Sequence, residues 1–182
     1  RSFNKSMPEE VNRILCDHVS TLLFSPTKAG LDQLGNEGIA KANNPVRASA
    51  DLPAVFHCGD IMYDNSLFFA EISETKTDIL LREKLESGKY FLATVHRDNN
   101  TDIPERLVSI FEAFDELSRK RNIPVVLPLH PRTKKNIASN SQLTKLLETN
   151  SLIRIIPPAT FFEMIMLEKN ALLVLTDSGG VQ

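Results

Sequence analysis

The sequence predicts an α/β fold with parallel sheet, and two observations carry that reading. From Gly88 onward, short apolar runs alternate with helical patterns at a spacing of roughly thirty residues, the rhythm of βαβ units joined by right-handed crossovers. The closing stretch, Ala171-Leu-Leu-Val-Leu, is an unbroken apolar run that reads as a strand buried on both faces, as in a parallel sheet. That run breaks into Asp177-Ser178-Gly179-Gly180, where a hydroxyl beside two glycines lets backbone N–H groups converge on an anion. A helix after such a turn would add its positive end. The chain stops at Gln182 before any helix can form, so the sequence reads as a fragment.

Each element has its own local reasons. Residues 1–8 are polar and irregular, and Pro8-Glu9-Glu10 opens a helix, since proline suits its first turn and acidic residues its positive end. Val11, Ile14, Leu15, His18 and Val19 share one helical face, and Glu9 and Arg13 are spaced to lie side by side. Thr21–Ser25 is a strand ended by Pro26; Thr27 begins a helix through Leu31 and Leu34 that stops between Gly35 and Gly38. Residues 40–53 lack a period and read as an exposed loop. Ala54–Cys58 is a strand, Gly59-Asp60 turns into a helix carrying Ile61, Leu67 and Phe68, and polar Glu71–Lys76 reads as a hinge. A short helix is expected over Asp78–Glu86, strands over Tyr90–Val95, Val125–Leu129 and Ile153–Ile156, and helices over Pro104–Arg121 and Thr160–Lys169. The segment His96–Asp102 reads as a loop, and the region from His130 to Thr149 as a broken helix.

Composition narrows the function classes. A chain of 182 residues suffices for one domain or the adjoining parts of two. With 42% hydrophobic and 24% charged residues it matches ordinary globular proteins, and a net charge of −2 gives no basis for a nucleic-acid or membrane partner. No apolar run approaches the ~20 residues of a membrane span. Cys16 and Cys58 are too few for a metal or disulfide framework and read as free thiols of a cytoplasmic protein, one on a helix and one in a strand.

Ligands of open α/β sheets bind beyond the carboxyl ends of the strands. His96-Arg97 and His130-Pro131-Arg132 each put an imidazole and a guanidinium at such an end, and Ser178-Gly179-Gly180 stands at another. Cations and backbone donors on one rim suit a diphosphate. A histidine at a strand end is more often structural than catalytic, and a Ser-Gly-Gly turn alone can be only a turn; it is their co-location that favours a site. His57 reads as a core or surface residue, His18 as a helix-face residue, and Glu9-Glu10 as a solvated helix start. The dinucleotide glycine fingerprint, the P-loop, zinc-ligand spacing and the hydrolase nucleophile elbow do not occur. The residues by themselves therefore lead to an α/β domain that binds a nucleotide or another phosphorylated ligand.

Taken in order, Arg1-Ser2-Phe3, Pro8-Glu9-Glu10-Val11-Asn12-Arg13, Phe24-Ser25-Pro26-Thr27, Thr94-Val95-His96-Arg97, Pro128-Leu129-His130-Pro131 and Thr176-Asp177-Ser178-Gly179-Gly180-Val181-Gln182 form a set. Their spacing resembles the non-hydrolysing UDP-N-acetylglucosamine 2-epimerases over nearly the whole chain. The resemblance implies Rossmann-like parallel sheets in the two-domain glycosyltransferase-B architecture, incomplete at both ends. Residues 1–62 would be the later part of an N-terminal domain, and residues 63–182 the first part of a C-terminal, UDP-binding domain. It implies interconversion of UDP-GlcNAc and UDP-ManNAc through elimination and re-addition of UDP, with no cofactor and no metal. It also implies a homodimer for the full-length protein, a cytoplasmic location and a role in polysaccharide biosynthesis.

Position by position, the resemblance makes Glu9 and His96 the catalytic candidates, Glu9 as a carboxylate and His96 beside the diphosphate. Arg13 matches the family's arginine and reads as the ion-pair partner of Glu9 or nearby carboxylates. Ser178, Gly179 and Gly180 match the phosphate-binding turn, and Ala159 and Met164 the uracil site. Arg97 and His130 fall where some members contact a second, activating UDP-GlcNAc. The chain departs from the family pattern at Asn99, where glutamate is usual, at Met164, where an aromatic is common, at Asp60, where asparagine is frequent, and in a longer loop at 40–53. Other carboxylates of the family's site lie outside the chain, so the 182 residues alone are expected to be inactive. A UDP-sugar glycosyltransferase, a hydrolysing 2-epimerase and a binding-only fragment remain as alternatives.

Overall fold

A computed structural model of the chain describes residues 3–39, 45–129 and 131–181. It divides into two compact units, one up to Asn65 and one from Ser66. The first unit begins with α1 (Pro8–Val19), β1 (Leu22–Ser25), α2 (Lys28–Asn36) and β2 (Ala54–His57). β1 and β2 pair in parallel, Leu22 opposite Ala54 through Ser25 opposite His57, with α2 as the crossover. Thr27 caps α2, its Oγ1 accepting the Gly30 N–H at 3.0 Å. A small core of Leu23, Leu34, Ile39 and Val55 holds this unit together. Cys58 lies just beyond β2 rather than in it, and both cysteines are free and exposed. Of the loop expected at 40–53, residues 40–44 lie outside the described residues.

α3 (Ile61–Lys76) starts in the first unit and continues into the second. The polar run expected to be a hinge, Glu71–Lys76, is its last stretch. Ser73 is buried there against Met166, and Glu74 pairs with Lys169 at 2.7 Å, contacts that keep the segment helical.

The second unit contains α4 (Ile79–Arg82), β3 (Phe91–Thr94), α5 (Asp98–Thr101), α6 (Pro104–Arg121), β4 (Val125–Pro128), α7 (Pro131–Ala138), α8 (Ser141–Thr149), β5 (Ile153–Ile156), α9 (Phe161–Asn170) and β6 (Leu173–Thr176). Its four strands are all parallel, in the order β5-β4-β3-β6. Alternation along β3 sends its side chains to two cores. Phe91 and Ala93 join Leu107, Phe111 and Phe114 of α6 and Leu143 of α8 on one face. Leu92 joins Ile79 of α4 and Leu167 of α9 on the other. Burying a side chain such as Phe111 contributes about 2–3 kcal/mol, so helices on both faces supply most of this unit's cohesion.

The parallel-sheet α/β architecture expected from the sequence is the one observed. Two further local expectations differ. The segment after β3 is not all loop, because Asp98–Thr101 forms the short helix α5. β6 is an edge strand among the described residues, with Leu172 and Leu173 about half exposed, rather than buried on both faces.

Candidate functional site

β3 occupies the middle of the sheet with β6 directly beside it, Phe91 opposite Leu173 through Thr94 opposite Thr176. The register is finished by a hydrogen bond of 2.6 Å between the Thr94 and Thr176 hydroxyls. The turns that leave these two strands therefore start side by side at one rim of the sheet. That register brings His96 and Arg97 to Asp177, Ser178, Gly179 and Gly180, which are far apart in the sequence.

Asp177 is the hub of the rim. Its carboxylate accepts the backbone N–H of His96 (3.1 Å to Oδ2) and of Arg97 (3.0 Å), and the side-chain amide of Asn100 (3.0 Å). Its Oδ1 also lies 3.1 Å from His96 Nδ1. Arg97 returns the link, its Nε donating to the Asp177 carbonyl at 2.7 Å. Burial pushes the Asp177 carboxyl up, but the N–H groups of Arg97, Asn100 and His96 outweigh it, and the net effect is to hold the group below its ordinary value.

The glycine turn is open. The Ser178 N–H is taken by Thr176 Oγ1 at 2.9 Å, while among the described residues the amides of Gly179 and Gly180 find no acceptor. A Cβ added at Gly179 would meet nothing within 4 Å, and at Gly180 only Ser178 Oγ at 3.9 Å. Neither glycine has the left-handed φ that would itself require glycine. The His96 side chain is 55% exposed, with Nδ1 beside Asp177 and much of the imidazole open.

Ala159 and Met164 belong to the same unit, where both pack against the core of Tyr90, Leu92, Val126, Ile156 and Leu167. Ala159 follows β5, and the start of α9 is fixed beside it. The Thr160 N–H donates to Glu163 Oε2 at 2.7 Å, and Glu163 Oε1 is bound by Arg82 at 2.7 Å. The Thr160 amide is the largest influence, ahead of burial and Arg82, that holds the Glu163 carboxyl below its usual range.

In the first unit Glu9 is exposed in the opening turn of α1, whereas its neighbour Glu10 is 5% exposed. Arg13 turns to Glu10 (3.3 Å), Asp17 and Glu37 (3.1 Å), not to Glu9. Burial opposes the charge on Arg13, yet Glu37, Glu10 and Asp17 together raise its pKa. Glu9 and Arg13 thus stand in one unit, and His96, Arg97, Ala159, Met164, Ser178, Gly179 and Gly180 in the other. His130 lies outside the described residues. Among those residues no cluster of His, Cys, Asp and Glu could hold a metal ion.

Sequence reasoning missed Asp177 as a site residue, and it missed the set of carboxylates around Arg13. An acidic residue directly after an apolar strand and before Ser-Gly-Gly was the available signal for Asp177. Its partners depend on which strand lies beside β6, and local pattern does not carry that.

The model of the UDP-N-acetylglucosamine 2-epimerase family matches residues 1–182. A UDP-N-acetylglucosamine 2-epimerase homologue of Methanococcus maripaludis is 42% identical over 100% of this chain and 46% of its own length. The UDP-2,3-diacetamido-2,3-dideoxy-D-glucuronate 2-epimerase of Pseudomonas aeruginosa is 43% identical over 100% of this chain and 45% of its own. The crystal structure of the Methanocaldococcus jannaschii UDP-GlcNAc 2-epimerase in complex with UDP-GlcNAc and UDP superposes with a TM-score of 0.79 at 38% identity, covering 100% of this chain and 47% of that one. The chain therefore spans about half the length of the curated relatives it matches. With a match over its whole length and the parallel-sheet rim in place, the chain belongs to the UDP-N-acetylglucosamine 2-epimerase family.

Proposed function

We propose that this chain is part of a longer, non-hydrolysing epimerase that interconverts UDP-N-acetylglucosamine and UDP-N-acetylmannosamine at C2. The observation that carries the reading is the open rim at the ends of β3 and β6. It offers an exposed imidazole, the Arg97 guanidinium and two unengaged amides within one pair of adjoining turns. Among the described residues nothing crowds a Cβ at 179 or 180, and the clearance suits the approach of a diphosphate. The solved relative with UDP-GlcNAc and UDP bound supports the same ligand class.

In this reading a carboxylate, Glu9 among the candidates, removes the proton at C2. The C2–H electrons form the C1–C2 double bond of 2-acetamidoglucal as the C1–O bond breaks and UDP leaves with its electron pair. Re-addition of UDP, with protonation of C2 from the opposite face, gives the epimer. Negative charge grows on the leaving diphosphate, where His96, Arg97 and the amides of Gly179 and Gly180 stabilise it. Ala159 through its backbone and Met164 through packing hold the uracil, and Arg97 and His130 would serve a second, activating UDP-GlcNAc. Arg13 acts indirectly, through the carboxylates it holds. The two units would be halves of two domains of a glycosyltransferase-B architecture, with residues 1–62 and 63–182 meeting in the first turn of α3. A homodimer in the cytoplasm that feeds polysaccharide synthesis completes the proposal. Among the described residues no helix is long and apolar enough to cross a membrane.

A second substrate has a specific basis, because the Pseudomonas aeruginosa relative is named for UDP-2,3-diacetamido-2,3-dideoxy-D-glucuronate. The C2 chemistry is shared, so the full-length protein should be offered each nucleotide sugar and the products separated. UDP-ManNAc formed from UDP-GlcNAc supports the main reading, and turnover of the diacetamido sugar alone moves it to the second. Free UDP with free ManNAc would show a hydrolysing enzyme. Relative to wild type, His96→Ala and Glu9→Gln are each expected to lower kcat by roughly 10²-fold or more. The 182-residue chain by itself is expected to show no turnover.

A further inference from the structure

We infer that Asp177 is a positioning residue for His96: its carboxylate holds the ring hydrogen on Nδ1 and leaves Nε2 as the ring atom presented at the open rim. Asp177 Oδ1 lies 3.1 Å from His96 Nδ1. An ionised carboxylate only accepts, so this proximity favours a ring hydrogen on Nδ1, and a neutral imidazole then carries its lone pair on Nε2. The carboxylate itself cannot rotate freely. Oδ2 receives the N–H of Arg97 at 3.0 Å and the amide of Asn100 at 3.0 Å, and the His96 N–H is shared between Oδ2 (3.1 Å) and Oδ1 (3.2 Å), which keeps Oδ1 on the His96 side. The Arg97 Nε bond to the Asp177 carbonyl, 2.7 Å, ties the two turns together from the other side. One side chain thus sets both the tautomer of His96 and the position of the turn that carries it. Nε2 is left as the ring atom turned to the rim, and in the imidazolium its N–H can donate to the leaving diphosphate while the ring charge faces Asp177.

Replacement by asparagine makes the inference sharp. Two donors bind the Oδ2 position alone and the His96 N–H shares it, so in Asp177→Asn the one remaining side-chain oxygen would stay there and the new NH₂ would face His96 Nδ1. An NH₂ donates, so the ring would have to switch to the Nε2–H tautomer. The first measurement is ¹⁵N NMR of the full-length protein labelled at histidine, reading His96 in wild type and in Asp177→Asn. An Nδ1–H ring in wild type that becomes Nε2–H in the variant supports the inference. An Nε2–H ring in wild type, or no change in the variant, overturns it. The wild-type spectrum alone decides the tautomer if Asp177→Asn fails to fold.

The kinetic arm rests on the epimerase reading. There, Asp177→Asn is expected to lower kcat about 10²-fold or more with KM nearly unchanged, since the amides of Gly179 and Gly180 still bind the ground state. Wild-type kcat in the variant would overturn the positioning role. A wild-type protein that turns over no UDP-sugar would instead remove the epimerase reading, and the spectrum would still judge Asp177.

Discussion

The N–H groups aimed at Asp177 favour its ionised form, and protonation would cost the rim those bonds. Its folded pKa lies below the unfolded value of about 3.9, as that of Glu163 lies below about 4.3. Their stabilisation is therefore complete above those unfolded values and is lost as pH falls through the lowered folded ones. Urea midpoints measured from pH 7 down to pH 3 should fall steeply below about pH 4, and the fall should be shallower in Asp177→Asn. An equal slope in the two proteins would remove Asp177 from the acid response. Arg13 gives a second prediction at this scale. Arg13→Ala leaves the buried carboxylates of Glu10 and Glu37 without the guanidinium they share, and should lower stability by about 2–3 kcal/mol in equilibrium unfolding. Positions at strand ends were legible from the motifs, as at His96 and Ser178–Gly180, which the structure brings to one rim. The orientation of His96 was not, because its partner Asp177 comes from a distant strand. Nor could the sequence tell that Glu10, and not Glu9, is the carboxylate Arg13 turns to.

Elements with strong local signals came through with their bounds. α6 is Pro104–Arg121 as expected, with proline in its first turn and Asn122 beyond its last. Asn122 ends that helix in the left-handed conformation, φ 53° and ψ 41°, with its N–H on the Ser118 carbonyl. Asn122→Val should cost about 1–2 kcal/mol, while Asn122→Gly should be nearly neutral; both are read from thermal or urea unfolding. α6 is also tied to the start of β5. Asn150, 3% exposed, donates to Asp115 at 2.7 Å and to Ser118 at 2.9 Å, and accepts the Leu152 N–H at 2.9 Å. Asn150→Ala strands those buried groups and should lower stability by about 2–3 kcal/mol. What the local signal does not fix is which face a neighbour covers. The helical period of α1 is plain, yet Val11, Leu15 and Val19 are exposed and Glu10 is the buried residue. β6 carries a core-like apolar run and lies at the edge of the described sheet.

At the scale of the molecule, two parallel α/β units carry two halves of the candidate chemistry. The proposed diphosphate rim is built wholly within the second unit, by strand order: β3 beside β6 puts His96, Arg97 and the glycine turn together. Glu9, the candidate for proton transfer, stands in the first. The βαβ rhythm made the parallel architecture legible, and the motif set made the family legible. The strand order was not, because it is decided by packing among segments far apart in the chain. The central claim is chemical: a full-length protein containing this chain epimerises at C2 by taking off and returning the proton there. The most direct test is to incubate it with UDP-GlcNAc in heavy water and follow the sugar by proton NMR. The account predicts UDP-ManNAc carrying deuterium at C2. UDP-ManNAc that retains its original C2 hydrogen, free UDP with free ManNAc, or no change at all would contradict it.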